Sequence, residues 1–182
     1  MTCSNPAMLR VRLQDITDNI DMDTHVAQIE LARQTYSHTI EILPGANDNR
    51  RYNCVMFALG IETDRVYYDM ARRCPDEVHA DTNFVQFLVD RGFLVEQPSP
   101  KPGLLIAYLS EGRFRHIGKL TDRCRIQSKW GIGNLYEHAT FEVPISYGDA
   151  IQFFLPIEHD PVLNAFIEFA KLRGVSFGGT DG

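Results

Sequence analysis

No apolar run in this 182-residue chain approaches the roughly 20 residues a membrane-spanning helix requires. Its first residues, MTCSNPAMLRVRLQD, lack the apolar stretch of a signal peptide. The sequence therefore reads as cytoplasmic, with export only by a non-standard route, and no membrane partner is expected. A basic excess is missing too. The 18 Lys and Arg stand against 24 Asp and Glu, a formal net charge of −6, which argues against a general nucleic-acid binder or a polybasic membrane-surface protein. Cysteine is sparse: Cys3, Cys54, Cys74 and Cys124 show no C-x-x-C pairing, so neither a disulfide framework nor a zinc site is expected. His25, His38, His79, His116, His138 and His159 are scattered, and no metal or cofactor is implied. What is present, 44% hydrophobic and 23% charged residues, is the composition of one globular domain with core enough to fold unaided.

There are no repeats or long linkers. Val26, Ile29, Ala32, Tyr36 and Ile40 recur at helical spacing from Asp23 to about Ile42, where Asp23 or Thr24 can cap the start. Residues 1–45 read as a helical extension, and the Pro-, Asn- and Gly-containing segment from Leu43 to Arg51 as a loop. Cys54 then opens a short apolar helix ended by Gly60, and further helices are predicted at about Asp64–Arg73 and Asp81–Arg91. After Pro98, Pro100 and Pro102 the pattern turns to strands at Leu104–Leu109, Phe114–Leu120 and Arg123–Lys129. Shorter extended pieces are predicted near Thr140–Val143 and Ala150–Leu155, then a helix from Asp160-Pro161 to about Leu172. Residues 1–173 read as a single α+β domain and 174–182 as a disordered tail.

The sharpest chemical signal is Cys54, at the start of an apolar helix after a polar loop. The positive end of a helix stabilises a thiolate; the alternative is an ordinary buried cysteine. His116, mid-strand between Phe114 and Ile117, is a candidate base on a rigid element. If Thr121-Asp122 form a two-residue turn, Leu120 pairs with Arg123 and His116 lies opposite Gln127, close enough for the amide to orient the imidazole. A bulge brings Ser128 or Ile126 opposite instead. His138 is an alternative orienter, a cleft residue or a polar loop histidine.

The pieces Tyr52-Asn53-Cys54-Val-Met-Phe-Ala, Arg115-His116-Ile117-Gly118 and Ile126-Gln127-Ser128-Lys129-Trp130-Gly131 resemble the papain-like cysteine hydrolases of the NlpC and CHAP type. There a nucleophile at a helix start is followed by a histidine on one strand and a polar orienter on the next. Asn53 stands where those enzymes have aspartate, and Val55-Met56 where they have Ser-Gly. Ser128–Gly131, Glu137-His138 and Tyr147-Gly148 together look like an uncharacterised bacterial branch. The resemblance implies a papain-like fold, with helices packed on a central antiparallel sheet. It also implies a catalytic set of Cys54, His116 and Gln127, with Cys54 attacking an amide or related acyl carbon. The Cys54 backbone N–H and a donor from Tyr52 or Asn53 would meet the oxyanion, with Ser128 and His138 lining the cleft.

Glu111 to Lys129 carries a local charge of +4, and in the register above Arg125 and Lys129 share the face of His116. That suits a peptide or amide substrate bearing negative charge; solvated strand charges are the alternative meaning. Trp130 is either a substrate platform or a loop anchor. Three functions follow: a cysteine peptidase or amidase; an acyltransferase or glutamine deamidase, as in an effector or toxin with a protein partner; or a non-enzymatic binding module in which Cys54 is ordinary.

Overall fold

The computed structural model describes residues 6–43, 52–131 and 133–177. The predicted loop at 44–51, Cys3 and residues 178–182 lie outside the described residues. Six helices and seven strands follow in the order α1 (Pro6–Asp18), α2 (His25–Thr35), β1 (Glu41–Ile42), α3 (Cys54–Leu59), α4 (Arg65–Ala71), α5 (Thr82–Asp90), β2 (Glu96–Gln97), β3 (Leu105–Ser110), β4 (Arg113–Leu120), β5 (Ile126–Lys129), β6 (Leu135–His138), β7 (Ala150–Phe154) and α6 (His159–Leu172).

Side chains that compete with the backbone in mid-helix satisfy its free N–H groups at helix starts. Asn53 Oδ1 accepts from the Met56 N–H at the head of α3, Asp64 from Tyr67 at α4, and Asp81 from Asn83 and Phe84 at α5. Gly60, at φ 72°, ends α3. Leu9, Leu13 and Ile16, spaced for one helix face, are the buried residues of α1.

All seven strands form one sheet in the order β1-β6-β5-β4-β3-β7-β2, each neighbouring pair antiparallel. The sheet is covered on both faces. Leu105, Ala107, Leu109 and Ile117 pack with residues of α3, α5 and α6, among them Val55, Phe84, Leu88, Phe166 and Phe169. Ile106, Tyr108, Leu120, Ile126 and Tyr136 pack with Leu9, Leu13 and Ile16 of α1 and Ile29 and Ala32 of α2. Alternation along β3 feeds the two cores in turn.

Several expectations need correction. The β4–β5 connection is five residues, Thr121 to Arg125, closed by the Thr121 N–H on the Arg125 carbonyl (2.7 Å) with Cys124 at φ 57°. The ladder therefore pairs Lys119 with Gln127 and Leu120 with Ile126, three residues out of the predicted register. An odd shift turns Gln127 to the other face of the sheet from His116. The strand expected at Thr140–Val143 lies at Leu135–His138 instead. The predicted tail begins too early, because Val175 is buried and its N–H bonds the Ala170 carbonyl. Among the described residues no helix is long and apolar enough to cross a membrane.

Candidate active site

Cys54 is the first residue of α3, half-buried, against the β4 side of the helix core. Its anchor is Asn53, which uses both ends of its amide. Oδ1 caps Met56 (2.9 Å) while Nδ2 donates to the Ala80 carbonyl (2.8 Å). A carboxylate at this position would cap but not donate, which accounts for asparagine here. With both ends engaged, the Asn53 side chain is not a spare oxyanion donor.

The thiol sits where β4 and β5 part. Leu120 donates its N–H to Leu104 on the β3 side. N–H directions alternate along a strand, so Lys119 and Ile117 point theirs toward β5. The ladder reaches only the Lys119–Gln127 pair, and the next outward N–H, that of Ile117, meets the Cys54 sulfur instead. Burial pushes the thiol up to about 11; the N–H groups of Ile117, Val55 and Cys54 and the nearby Lys129 ammonium oppose that rise. The resting sulfur is therefore a protonated thiol.

Lys129, on the Gln127 face of β5, is fully buried, with Nζ donating to the carbonyls of Gly133 (2.6 Å) and Gly131 (3.3 Å). The same nitrogen lies 5.1 Å from the centre of the Tyr52 ring. Burial lowers its pKa to about 8, against the pull of Cys54. Lys129 and Arg125 do not share the face of His116 as the predicted register implied. Arg125 is a clip between Thr39 and Glu137, and the Gln127 amide donates to Glu137 (2.9 Å).

His116 lies opposite Tyr108 on the α1 and α2 face. Its ring stacks on Tyr147 at 3.9 Å with an interplanar angle of 12°. It is 2% exposed, and its Nε2 has no hydrogen-bond partner among the described residues. Burial, with His138 nearby, holds the imidazole well below its ordinary pKa, so it is neutral. Tyr147, from the short 3-10 turn Ile145–Tyr147, connects the two sides. Its ring covers His116, while its hydroxyl takes the Gly131 N–H and lies within electrostatic reach of the Cys54 sulfur.

His138 is a strand residue of β6, not a loop histidine. Its Nδ1 donates to the Ala139 carbonyl (2.9 Å), which leaves Nε2 to accept from the Ser128 hydroxyl (2.8 Å). Ser128 Oγ in turn accepts from the Trp130 indole (3.0 Å). This chain is satisfied within itself, so Ser128 and His138 support the wall behind His116 and Trp130 is a buried anchor. An open groove of about 580 Å³, lined by Ala58, Leu59, Lys119, Gln127 and His159 among others, runs along the α3 face. On α3 it is lined by the C-terminal end of the helix, Ala58 to Gly60, and not by Cys54 at its start.

Sequence reasoning pointed to Cys54 and Tyr52, which lie beside the fork, and to His116, which lies on the opposite face of the sheet. It missed Lys129 as a buried partner of the thiol, and it met Tyr147 only as part of a downstream pattern. Among the described residues no group of three or more His, Cys, Asp or Glu is placed to hold a metal ion. The fold is α+β, and the helix-opening Cys54 lies in a fork between strands. The chain belongs to the family described as Domain of unknown function (DUF7689), whose model matches residues 45–155, a span that takes in each of these site residues. No curated protein and no solved structure matches the chain.

Proposed function

We propose that this protein is a papain-like cysteine hydrolase that cleaves an amide or related acyl bond, with Cys54 as nucleophile and His116 as general base. The observation that carries the reading is Cys54 at the head of α3 against the β4–β5 fork, with His116 on the opposite face of the sheet behind Tyr147. A thiol faces backbone donors from one side, and a neutral imidazole with an unpartnered, buried Nε2 stands behind Tyr147 on the other. In this scheme the substrate lies along the groove on the α3 face. His116 Nε2 takes the Cys54 proton through the fork as sulfur bonds to the acyl carbon. The N–H groups at the start of α3 face the developing oxyanion. His116 then returns the proton to the leaving amine, and water releases the acyl group from sulfur. A protonated resting thiol fits a general-base route rather than a standing thiolate–imidazolium pair. An acyltransferase or deamidase would use the same steps with a different acceptor or donor.

The raised thiol itself supports a second reading, in which Cys54 is a structural residue of a binding module. Turnover decides between the two. A panel of peptide arylamides and activated acyl esters is incubated with the wild type and with Cys54→Ala and His116→Ala. The hydrolase reading expects release by the wild type, none above background from Cys54→Ala, and about 10²- to 10⁴-fold less from His116→Ala. Equal release by wild type and Cys54→Ala overturns it in favour of the binding module.

A further inference from the structure

A lysine ammonium is costly to bury, and the usual compensation is a carboxylate. Lys129 is buried without exposure, yet among the described residues no carboxylate pairs with it; two carbonyl oxygens and the face of Tyr52 hold it. The side chain is nonetheless fixed. Its carbonyl partners Gly131 and Gly133 belong to the turn that follows β5, and the Gly131 N–H is tied to the Tyr147 hydroxyl. Tyr52 stands two residues before the nucleophile. A cation is thus held in the fork beside Cys54 with its anionic partner missing in the resting state.

We infer that Lys129 is the counter-charge for the Cys54 thiolate, a cation sealed into the β4–β5 fork whose anionic partner appears only when the thiol is deprotonated. The inference rests on the reading of Cys54 as nucleophile and adds a residue to that site. An interaction weak in the ground state and strong once charge develops is the kind that accelerates a reaction. The other titratable groups around this point are Tyr52 from the segment before α3 and Tyr147 from the 3-10 turn, with His116 of β4 behind Tyr147 on the opposite face of the sheet. Burial raises both phenols and holds the imidazole neutral, so none of them supplies the missing anion at neutral pH. Lys129 keeps its proton throughout, and the thiol proton leaves to the general base.

The test is the coupling between the two groups, read from both ends. The pH dependence of Cys54 alkylation, followed by peptide mass spectrometry, gives the thiol's midpoint in the wild type and in Lys129→Met and Lys129→Arg. Below about pH 8, where Lys129 carries its charge, Lys129→Met is expected to slow alkylation roughly tenfold at fixed pH, and Lys129→Arg to restore most of the rate. Lys129→Met also removes the bonds that hold Gly131 and Gly133, so the reciprocal measurement guards against a folding defect. In protein carrying 13C-labelled lysine, the Lys129 Cε signal is expected to titrate at higher pH in Cys54→Asp, which sets a standing anion at that position, than in Cys54→Ala. Unchanged alkylation below about pH 8 in folded Lys129→Met, with equal Lys129 midpoints in Cys54→Asp and Cys54→Ala, overturns the inference. If substrate turnover persists under those conditions, the hydrolase reading stands without it. If coupling is found without turnover, that reading alone fails.

Discussion

Gly118 follows His116-Ile117 for a reason of space rather than flexibility. A Cβ there would lie 2.7 Å from the Gln127 carbonyl oxygen and 2.9 Å from side-chain atoms of Ile126 and Ser128. The glycine lets β5 close on β4 immediately before the fork opens. Gly118→Ala is expected to cost about 1–3 kcal/mol, measured as a lower urea midpoint, and to reduce activity with it. His138 has a pH signature. Its ordinary value of 6.5 falls to about 4, chiefly through burial, so the unfolded chain binds a proton that the folded chain refuses. Stability is therefore full above pH 6.5 and falls as pH drops from 6.5 to 4, by on the order of 3 kcal/mol from this residue. Urea titrations across that range check the slope, and His138→Gln is expected to flatten it.

The local signals that define α3, α4 and α5 were legible because each is written in adjacent residues: a side-chain cap, an apolar stretch and, for α3, a glycine in the left-handed conformation. The β3–β4 hairpin was equally legible from Glu111-Gly112, both at positive φ. Helix α1 carries a readable spacing, Leu9, Leu13 and Ile16, within the predicted helical extension. The two-residue strands β1 and β2 are set by tertiary pairing and leave no local trace. The register of β5 was the consequential miss. It depends on Cys124 adopting a positive φ that cysteine rarely takes, and the resulting three-residue shift takes Gln127 away from His116 to Glu137 and turns Lys129 to the thiol's face of the sheet. Asn53 offers a test at this scale. Asn53→Asp keeps the cap but sets a carboxylate against the Ala80 carbonyl, so a loss of about 1–3 kcal/mol is expected, read by thermal or urea unfolding. Cys54 alkylation in that variant reports whether the helix start has shifted.

At the scale of the whole molecule, the matched span 45–155 contains the thiol, the fork and part of the groove, whereas α1 and α2 lie before it and cover the opposite face of the sheet. That cover is not passive. Arg10 of α1 reaches the carbonyls of Val143, Pro144 and Gly148, and Gln14 accepts from the Ser146 N–H. The helix thereby holds the turn that presents Tyr147 to His116. Leu13→Ala, at a fully buried position of α1, is expected to cost 2–5 kcal/mol, and the accompanying loosening of Tyr147 to lower turnover well below the fraction unfolded. Denaturation curves and activity measured at the same temperature separate the two effects. The central claim, that Cys54 is a nucleophile served from both sides of the sheet, is tested most directly by trapping its intermediate. Wild-type protein is mixed with an activated acyl substrate, quenched in acid and mapped by peptide mass spectrometry. The account expects a hydroxylamine-labile acyl group on Cys54, formed far more slowly in His116→Ala. Acylation confined to Cys124 or to surface lysines, at rates indifferent to His116, would contradict it.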